Sequence, residues 1–266
     1  MARMTSPKRP ASPPFAASLA AGAIALACAV GAWAQAPSAD PKVASQAPLG
    51  VGIITHPSGT LTVRKGDGST RFLSVKSNIA EGDTLMTAPS TYARMKFADG
   101  GEIVLRPESQ MKVNAYKYDE KKPEEDNVIV NLFKGGMRSV TGLLGKRNRD
   151  KVAVIAPNAT IGIRGTHFGM LLCQGDCGAI QTPGGGPPPN GLHVDVLDGS
   201  VSVRNNAGQQ VLAAGQFGYV RDNSTPPVQV PSQQGIQVTM PLAISRNAGA
   251  GSTVGKGRQD NECAVP

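Results

Sequence analysis

The sequence predicts an all-β fold of stacked short β-hairpins, solenoid-like or sandwich-like, with a disordered tail. Three observations predict it. Apolar residues alternate in runs of about five. Asp-Gly and Gly-Gly turns separate many of those runs. Between residues 51 and 222 no stretch carries the periodicity of an amphipathic helix. The composition agrees. The 266 residues include 32 glycines and 21 prolines, which fill the chain with turns and exclude a helix bundle. Hydrophobic residues make up 40% but aromatics only 4%, so the core is aliphatic and thin.

The chain opens with a targeting segment. Arg3, Lys8 and Arg9 precede an Ala-rich run from Phe15 to Ala34 that holds no charge. Ala32-Trp33-Ala34 ends that run with small residues at −3 and −1. Residues 1–34 therefore read as a signal peptide cleaved before Gln35, which makes the mature chain periplasmic or secreted in a bacterium, with no integral membrane span after cleavage. A retained anchor and a lipid on Cys28 are the alternatives. Residues 35–50 are rich in Ala, Pro and Ser and read as a linker.

The strands follow in order. Gly59 to Arg64 places Leu61 and Val63 on one face, Lys65 to Gly68 turns, and Arg71 to Val75 returns. Ala93, Met95 and Phe97 point inward; Asp99-Gly100-Gly101 turns; Ile103 to Leu105 follows, and Pro107 ends it. Val128, Val130 and Leu132 line one face of the next run, and Lys151 to Ile155 forms another, closed by Pro157. Val194 and Val196, the turn Asp198-Gly199-Ser200, then Val201 and Val203 read as a hairpin. Val211-Leu212 and Phe217 to Val220 complete a domain over residues 51–222. Gln181 to Gly191, with three Gly and three Pro in succession, is an exposed insertion between two strands. Residues 223–266 read as a mostly disordered Pro/Gly/Gln-rich tail with one short docking strand in the apolar patch Ile236 to Ile244.

Charge and cysteine usage narrow the function. Removal of residues 1–34 leaves 24 cations against 19 acids, a modest excess. The densest basic run, Lys146 to Lys151, has no aromatic interleaving and reads as a solvated loop, so no nucleic acid is expected as partner. The mixed-sign run Asp119 to Asp126 reads as a hairpin loop. Export permits disulfides, and Cys173 and Cys177 flank a Gly-containing loop, so a local disulfide is the first reading; zinc held by these thiols and His167 is the rival. Cys263 is left over. No cofactor or metal is expected: Gly184 to Gly186 and Gly142 to Lys146 both lack the residues of a phosphate loop. No nucleophile elbow or paired-His motif is present, and the chain reads as no enzyme.

The least ordinary segment is Ala156 to Phe168, with Ile161-Gly162-Ile163-Arg164-Gly165-Thr166 at its centre. Together with Lys134 to Gly142, Glu81 to Thr87, Phe97 to Ile103, Leu197 to Val201 and Ala214 to Gln216, it resembles the FecR domain family in both residues and order. The resemblance spans roughly residues 51–222 and implies an all-β periplasmic domain. In the founding members it implies a cell-surface signalling regulator with a sigma-factor-binding segment, one inner-membrane helix and a periplasmic sensor. Here only 14 residues precede the apolar run and a cleavage site stands where the anchor would be, so the sigma-factor role does not carry over. A non-catalytic periplasmic binding or sensing module, contacting another envelope protein, does. A structural component of a cell-envelope assembly is the alternative; an exported hydrolase comes last.

Within the motif, Ile161 and Ile163 alternate inward, so Gly162 and Arg164 face the other way. Two readings of Arg164 follow. In the structural one it is buried and bonded to a carboxylate or to strand carbonyls, tying two layers together. In the other it contacts a partner. Gly162 and Gly165 thin the backbone around it, and Thr166 fits as a strand-edge hydroxyl bonding backbone.

Overall fold

The computed structural model describes residues 50–241 and residue 244. The signal segment, its cleavage point, Cys28, the linker before Gly50 and Cys263 lie outside the described residues. Among the described residues, no helix is long and apolar enough to cross a membrane.

Short alternating runs form strands because each can turn one row of side chains inward and the other to solvent. In chain order the strands are β1 (Gly52–Pro57), β2 (Leu61–Arg64), β3 (Thr70–Leu73), β4 (Asn78–Ile79), β5 (Thr84–Thr87), β6 (Ala93–Phe97), β7 (Glu102–Leu105), β8 (Gln110–Lys117), β9 (Asn127–Val140), β10 (Val152–Ile155), β11 (Thr160–Ile163), β12 (His167–Cys173), β13 (Gly191–Asp198), β14 (Ser200–Asn205), β15 (Gly208–Ala213), β16 (Phe217–Val220) and β17 (Val228–Val230). One short helix, α1 (Leu143–Arg147), lies between β9 and β10.

The pairings sort these strands into two layers that share β9. The first layer runs β4-β1-β6-β7-β9-β12-β13-β16-β17. The second runs β3-β2-β5-β8-β9-β10-β11-β14-β15. Residues up to Lys134 of β9 pair in the second layer, and residues from Gly135 onward pair in the first. The strand turns the corner at Gly135, whose φ is +75°. A Cβ there would collide with Ser109 Oγ and stand 2.7 Å from Ser109 Cα. Ser109 Oγ instead accepts the Gly136 N–H and donates to the Gly136 carbonyl, both at 2.9 Å.

The inner faces meet in one core. The first layer contributes Ile54, Met95, Leu105, Met137, Phe168 and Val194; the second contributes Val63, Leu85, Met111, Leu132, Ile161 and Val203. The sandwich-like alternative is therefore the observed one. The fold of β9 also brings Val128 and Val130 back beside Ser139 and Val140, around a cavity of about 50 Å³. Leu144 of α1 is fully buried and joins the same core.

Two expectations are corrected. Val194-Val196 and Val201-Val203 do not form a hairpin. β13 pairs with β12 and β16 in one layer, and β14 with β11 and β15 in the other. All four valines are buried, so the turn at Gly199 carries the chain across the edge of the core instead of back along one sheet. Residues 223–241 and Ile244, expected within the tail, also pack on the domain, and the rest of that tail lies outside the described residues. β17 pairs with β16, the chain turns at Pro231–Gly235, and residues 236–241 then cross the outer face of the first layer. The expected docking patch does dock, but as a strap and not as a strand: Ile236 and Val238 are 4% and 0% exposed.

The strap follows one row of outward-facing positions. Register aligns Arg94 of β6 with Val104 of β7, Arg138 of β9, Gly169 of β12, Asp195 of β13 and Phe217 of β16. Gly235 lies over the Phe217 ring, and Val238 sits over Gly169. A Cβ at Gly169 would collide with Asp195 Oδ1 and stand 2.6 Å from Val238 Cβ. Gly169→Ala is expected to destabilise the protein by about 1–3 kcal/mol through overpacking. Limited proteolysis of that variant should cut after Val230 sooner than in the wild type, and equal cleavage rates would contradict the packing described.

Candidate interaction surface

The motif loop sits where the two layers are stitched together. Ile161 and Ile163 of β11 are buried in the core, and Gly162 between them is half-buried with its open side toward Ser202. Thr166 is 3% exposed. Its hydroxyl donates to the Ser200 carbonyl at 2.7 Å and its N–H donates to Thr141 Oγ1 at 2.9 Å. Thr141 returns two bonds to the Thr166 carbonyl, from its hydroxyl at 2.7 Å and its N–H at 3.0 Å. Thr166 thus links the end of β9 to the start of β14. Gly165, at φ +67°, lets the chain pass from β11 to this point.

Arg164 is exposed and makes no hydrogen bond or ion pair among the described residues. The structural reading is corrected on this point. The chain leaves β11 after Ile163, and the outward-facing side chain has no neighbouring strand carbonyl or carboxylate to meet. Its surroundings are cationic. Lys151 directly precedes β10, which pairs with β11 through Ala153 and Gly162. Lys146 Cγ lies 3.8 Å from the position a Gly165 Cβ would take. Lys146, Arg149 and Lys151 are all exposed, with Asp150 the acid among them.

The basic run is not uniformly solvated. Arg147 reaches back to the acidic hairpin between β8 and β9: Nε bonds Asp126 Oδ2 at 2.7 Å, and Nη2 donates to the Asp119 carbonyl at 2.7 Å. Its guanidinium also lies 4.8 Å from the Tyr118 ring centroid. Asp99 anchors the other end of α1. Its backbone carbonyl accepts the Leu143 N–H at 2.9 Å, and its carboxylate accepts the Tyr116 hydroxyl at 3.1 Å. Burial, and then the Asp99 charge, push the Tyr116 hydroxyl well above the ordinary tyrosine range, so it stays a donor. These contacts hold the helix, and with it Lys146, against the motif loop.

Sequence reasoning missed a second polar cluster. Arg138 Nη2 and Asp195 Oδ2 form a buried ion pair at 2.5 Å. The pair grips the main chain of the strap: Arg138 Nε donates to the Val238 carbonyl at 2.6 Å, and Asp195 Oδ1 accepts the Val238 N–H at 3.1 Å. Farther along, Arg94 bonds Glu102 and donates from Nη1 to the Ile244 carbonyl at 3.1 Å. A signal did exist. Arg138 and Asp195 each stand in a run of strand residues where a charge interrupts apolar neighbours, but nothing local says that they face the same segment. Cys173 and Cys177 are joined in a disulfide, Cα atoms 5.4 Å apart, and pack with Leu171, Ile236 and Val238. His167 stands at the opposite end of β12 from Cys173, so the residues of the zinc alternative are not brought together.

Two predictions separate these clusters. Arg138→Ala leaves a buried carboxylate and the Val238 carbonyl unpaired and should cost about 3–5 kcal/mol. Arg164→Ala should stay within about 0.5 kcal/mol of wild type. Thermal melts of both variants check the contrast. The histidines set a pH dependence. Burial holds the His193 imidazole below its ordinary range; burial and then the Arg138 charge do the same for His167. Both stabilise the fold fully while neutral in folded and unfolded chains alike. As pH falls through about 6.5 the unfolded chain takes up protons first, so stability drops. Melting temperature should therefore decrease between about pH 7.5 and 5.5, and less steeply in the His167→Gln/His193→Gln double variant.

The family model described as FecR protein matches residues 83–202. That stretch holds the β9 corner, the motif loop, α1 and the Arg138–Asp195 pair, and it ends before the strap. Among solved structures, two of a "putative anti-sigma factor" from Parabacteroides distasonis ATCC 8503 align at 15% identity with a TM-score of 0.40, over 55% of this chain. The alignment spans 58% of that protein's chain. A structure described as a cell surface anchoring domain aligns at 31% identity with a TM-score of 0.23, over 23% of this chain and 82% of its own. No curated protein matches the chain. The motif centred on Arg164 lies inside the matched stretch, and residues 83–202 are similar to the FecR protein family.

Proposed function

We propose that this chain is a non-catalytic sensing module for signal transduction, exported to the periplasm, which meets a protein of the cell envelope through the surface around Arg164. One observation carries the reading. Arg164 belongs to the most specific motif of the FecR-like segment, yet its side chain is exposed and unpaired, while Thr166 two residues on is buried and fully bonded. A guanidinium so presented offers five N–H donors to a carboxylate. Lys146, Arg149 and Lys151 around it add a field that favours an acidic partner segment and speeds its encounter. The Ala-rich leader supports the location, and the FecR match supports the signalling role.

The test is capture from an envelope extract on immobilised protein, at low and high salt. Charge-driven capture weakens at about 1 M salt, where the screening length falls to about 3 Å. Arg164→Glu should retain the wild-type melting temperature and lose at least about tenfold in captured partner, as for a lost charge-assisted contact. The same partner bound equally by wild type and Arg164→Glu would exclude this surface.

A further inference from the structure

The Gly/Pro-rich insertion borders an open-sided cavity. After Cys177 the chain turns tightly at Thr182–Gly186, where the Thr182 N–H bonds the Gly186 carbonyl and the Gly185 N–H bonds the Thr182 carbonyl, both at 2.9 Å. The insertion is tied to the strap by the Gly184 N–H, which donates to the Gln233 carbonyl at 2.8 Å. Between the two lies a cavity of about 280 Å³. Thr182, Pro187, Pro189, His193, Tyr219 and Gln234 line it, and Val230 closes one side. Its volume stands just under the usual range for small-molecule sites, about 300–1,000 Å³.

The chemistry of the lining is selective. No Asp, Glu, Lys or Arg side chain reaches the cavity, so nothing in it balances an anion or a cation. Two prolines, a valine and the Tyr219 ring supply apolar walls. The hydrogen-bonding groups are the Thr182 hydroxyl, which donates to the Gly185 carbonyl at 2.9 Å and is left to accept, an amide and an imidazole. The Gln234 amide is uncommitted among the described residues. His193 is 2% exposed and its ring rests on Tyr219, centroids 5.0 Å apart. Its Nε2 lies 2.9 Å from the Pro189 carbonyl, which only accepts; Nε2 therefore carries the proton and Nδ1 keeps a free lone pair. The Tyr219 hydroxyl is held by the Asn190 carbonyl at 2.5 Å, which fixes the ring as a wall.

We propose that this cavity binds a neutral, hydroxyl-bearing ring of monosaccharide size, whose C–H faces lie on Tyr219 and the prolines and whose hydroxyls meet His193 Nδ1, the Gln234 amide and Thr182. An apolar ligand would leave the imidazole and amide unpaired, and a charged one would find no counter-charge. The inference is independent of the Arg164 surface, which lies on a different loop.

Saturation-transfer NMR on the full chain tests it, with glucose, galactose and N-acetylglucosamine as probes and glucose 6-phosphate as the charged control. Transfer is expected to at least one neutral sugar at about 10 mM, weak binding of the kind one or two hydrogen bonds support. Gln234→Ala, at an exposed position, should reduce it about fivefold, and His193→Phe should reduce it further. Arg164→Ala should leave it unchanged, so failure here and failure of the sensing surface are distinguishable. Absence of transfer from all three sugars on folded protein, transfer that survives both cavity variants, or stronger transfer from the phosphorylated sugar would each overturn the assignment.

Discussion

The two strand ladders of this molecule share a single strand, β9. Every recorded pairing that joins β1–β8 to β10–β17 passes through β9, whose first arm takes β8 and β10 as neighbours and whose second takes β7 and β12. Such a strand must bend sharply while keeping its ladder on both sides. Gly135 supplies the bend, and Ser109 takes over the hydrogen bonds that the bend releases. Because both arms are flanked on both sides, neither exposes an edge at the corner. The core then fills the space between the arms with aliphatic side chains, and α1 adds Leu144 to it.

The same strand organises the outer face. Arg138 leaves β9 on the side away from the core, and there it meets Asp195 and the main chain of Val238. A buried ion pair contributes little net stability compared with apolar residues of the same shape, since desolvation offsets the attraction. Its clearer consequence here is positional. A carboxylate and a guanidinium that bind the N–H and the carbonyl of one residue set the register of an irregular segment that has no sheet ladder of its own. Gly169 admits Val238 between them, and the disulfide cluster packs on the segment's other side chains.

Several acids of the domain are consumed by such internal duties. Asp83 holds Lys65, Asp126 holds Arg147, Asp195 holds Arg138 and Glu102 holds Arg94. Each of these acids orders a hairpin, a loop or the strap. Lys146, Arg149, Lys151 and Arg164 near the motif loop have no such partners among the described residues, and the local excess of positive charge arises from this uneven use of the acids. Charge counted along the chain could not reveal it, because the pairs close over separations of many residues.

Much of the fold was legible in the sequence because side-chain alternation and turn chemistry are local. The paired runs around Leu61 and Val63, the hairpin at Asp99–Gly101 and the buried faces of Met95, Val130 and Ile161 follow from a period of two and from residues that accept positive φ. The exposure of most of the Gly/Pro-rich insertion followed likewise from its inability to pair in a sheet. What the sequence could not determine is which strands share a layer. Val194 to Val203 reads equally as a hairpin or as a crossing between layers, since both place the same valines inward. The strap was hidden for a related reason: Ile236 and Val238 show apolar character, but their partners Phe217, Gly169 and Arg138 come from three distant strands brought into one row by register. Arg164 illustrates the limit at the site. Alternation correctly turned it away from the core, but only the tertiary structure decided that no strand or carboxylate lies on that side to receive it, because burial of an outward-facing side chain depends on what the rest of the chain lays over it.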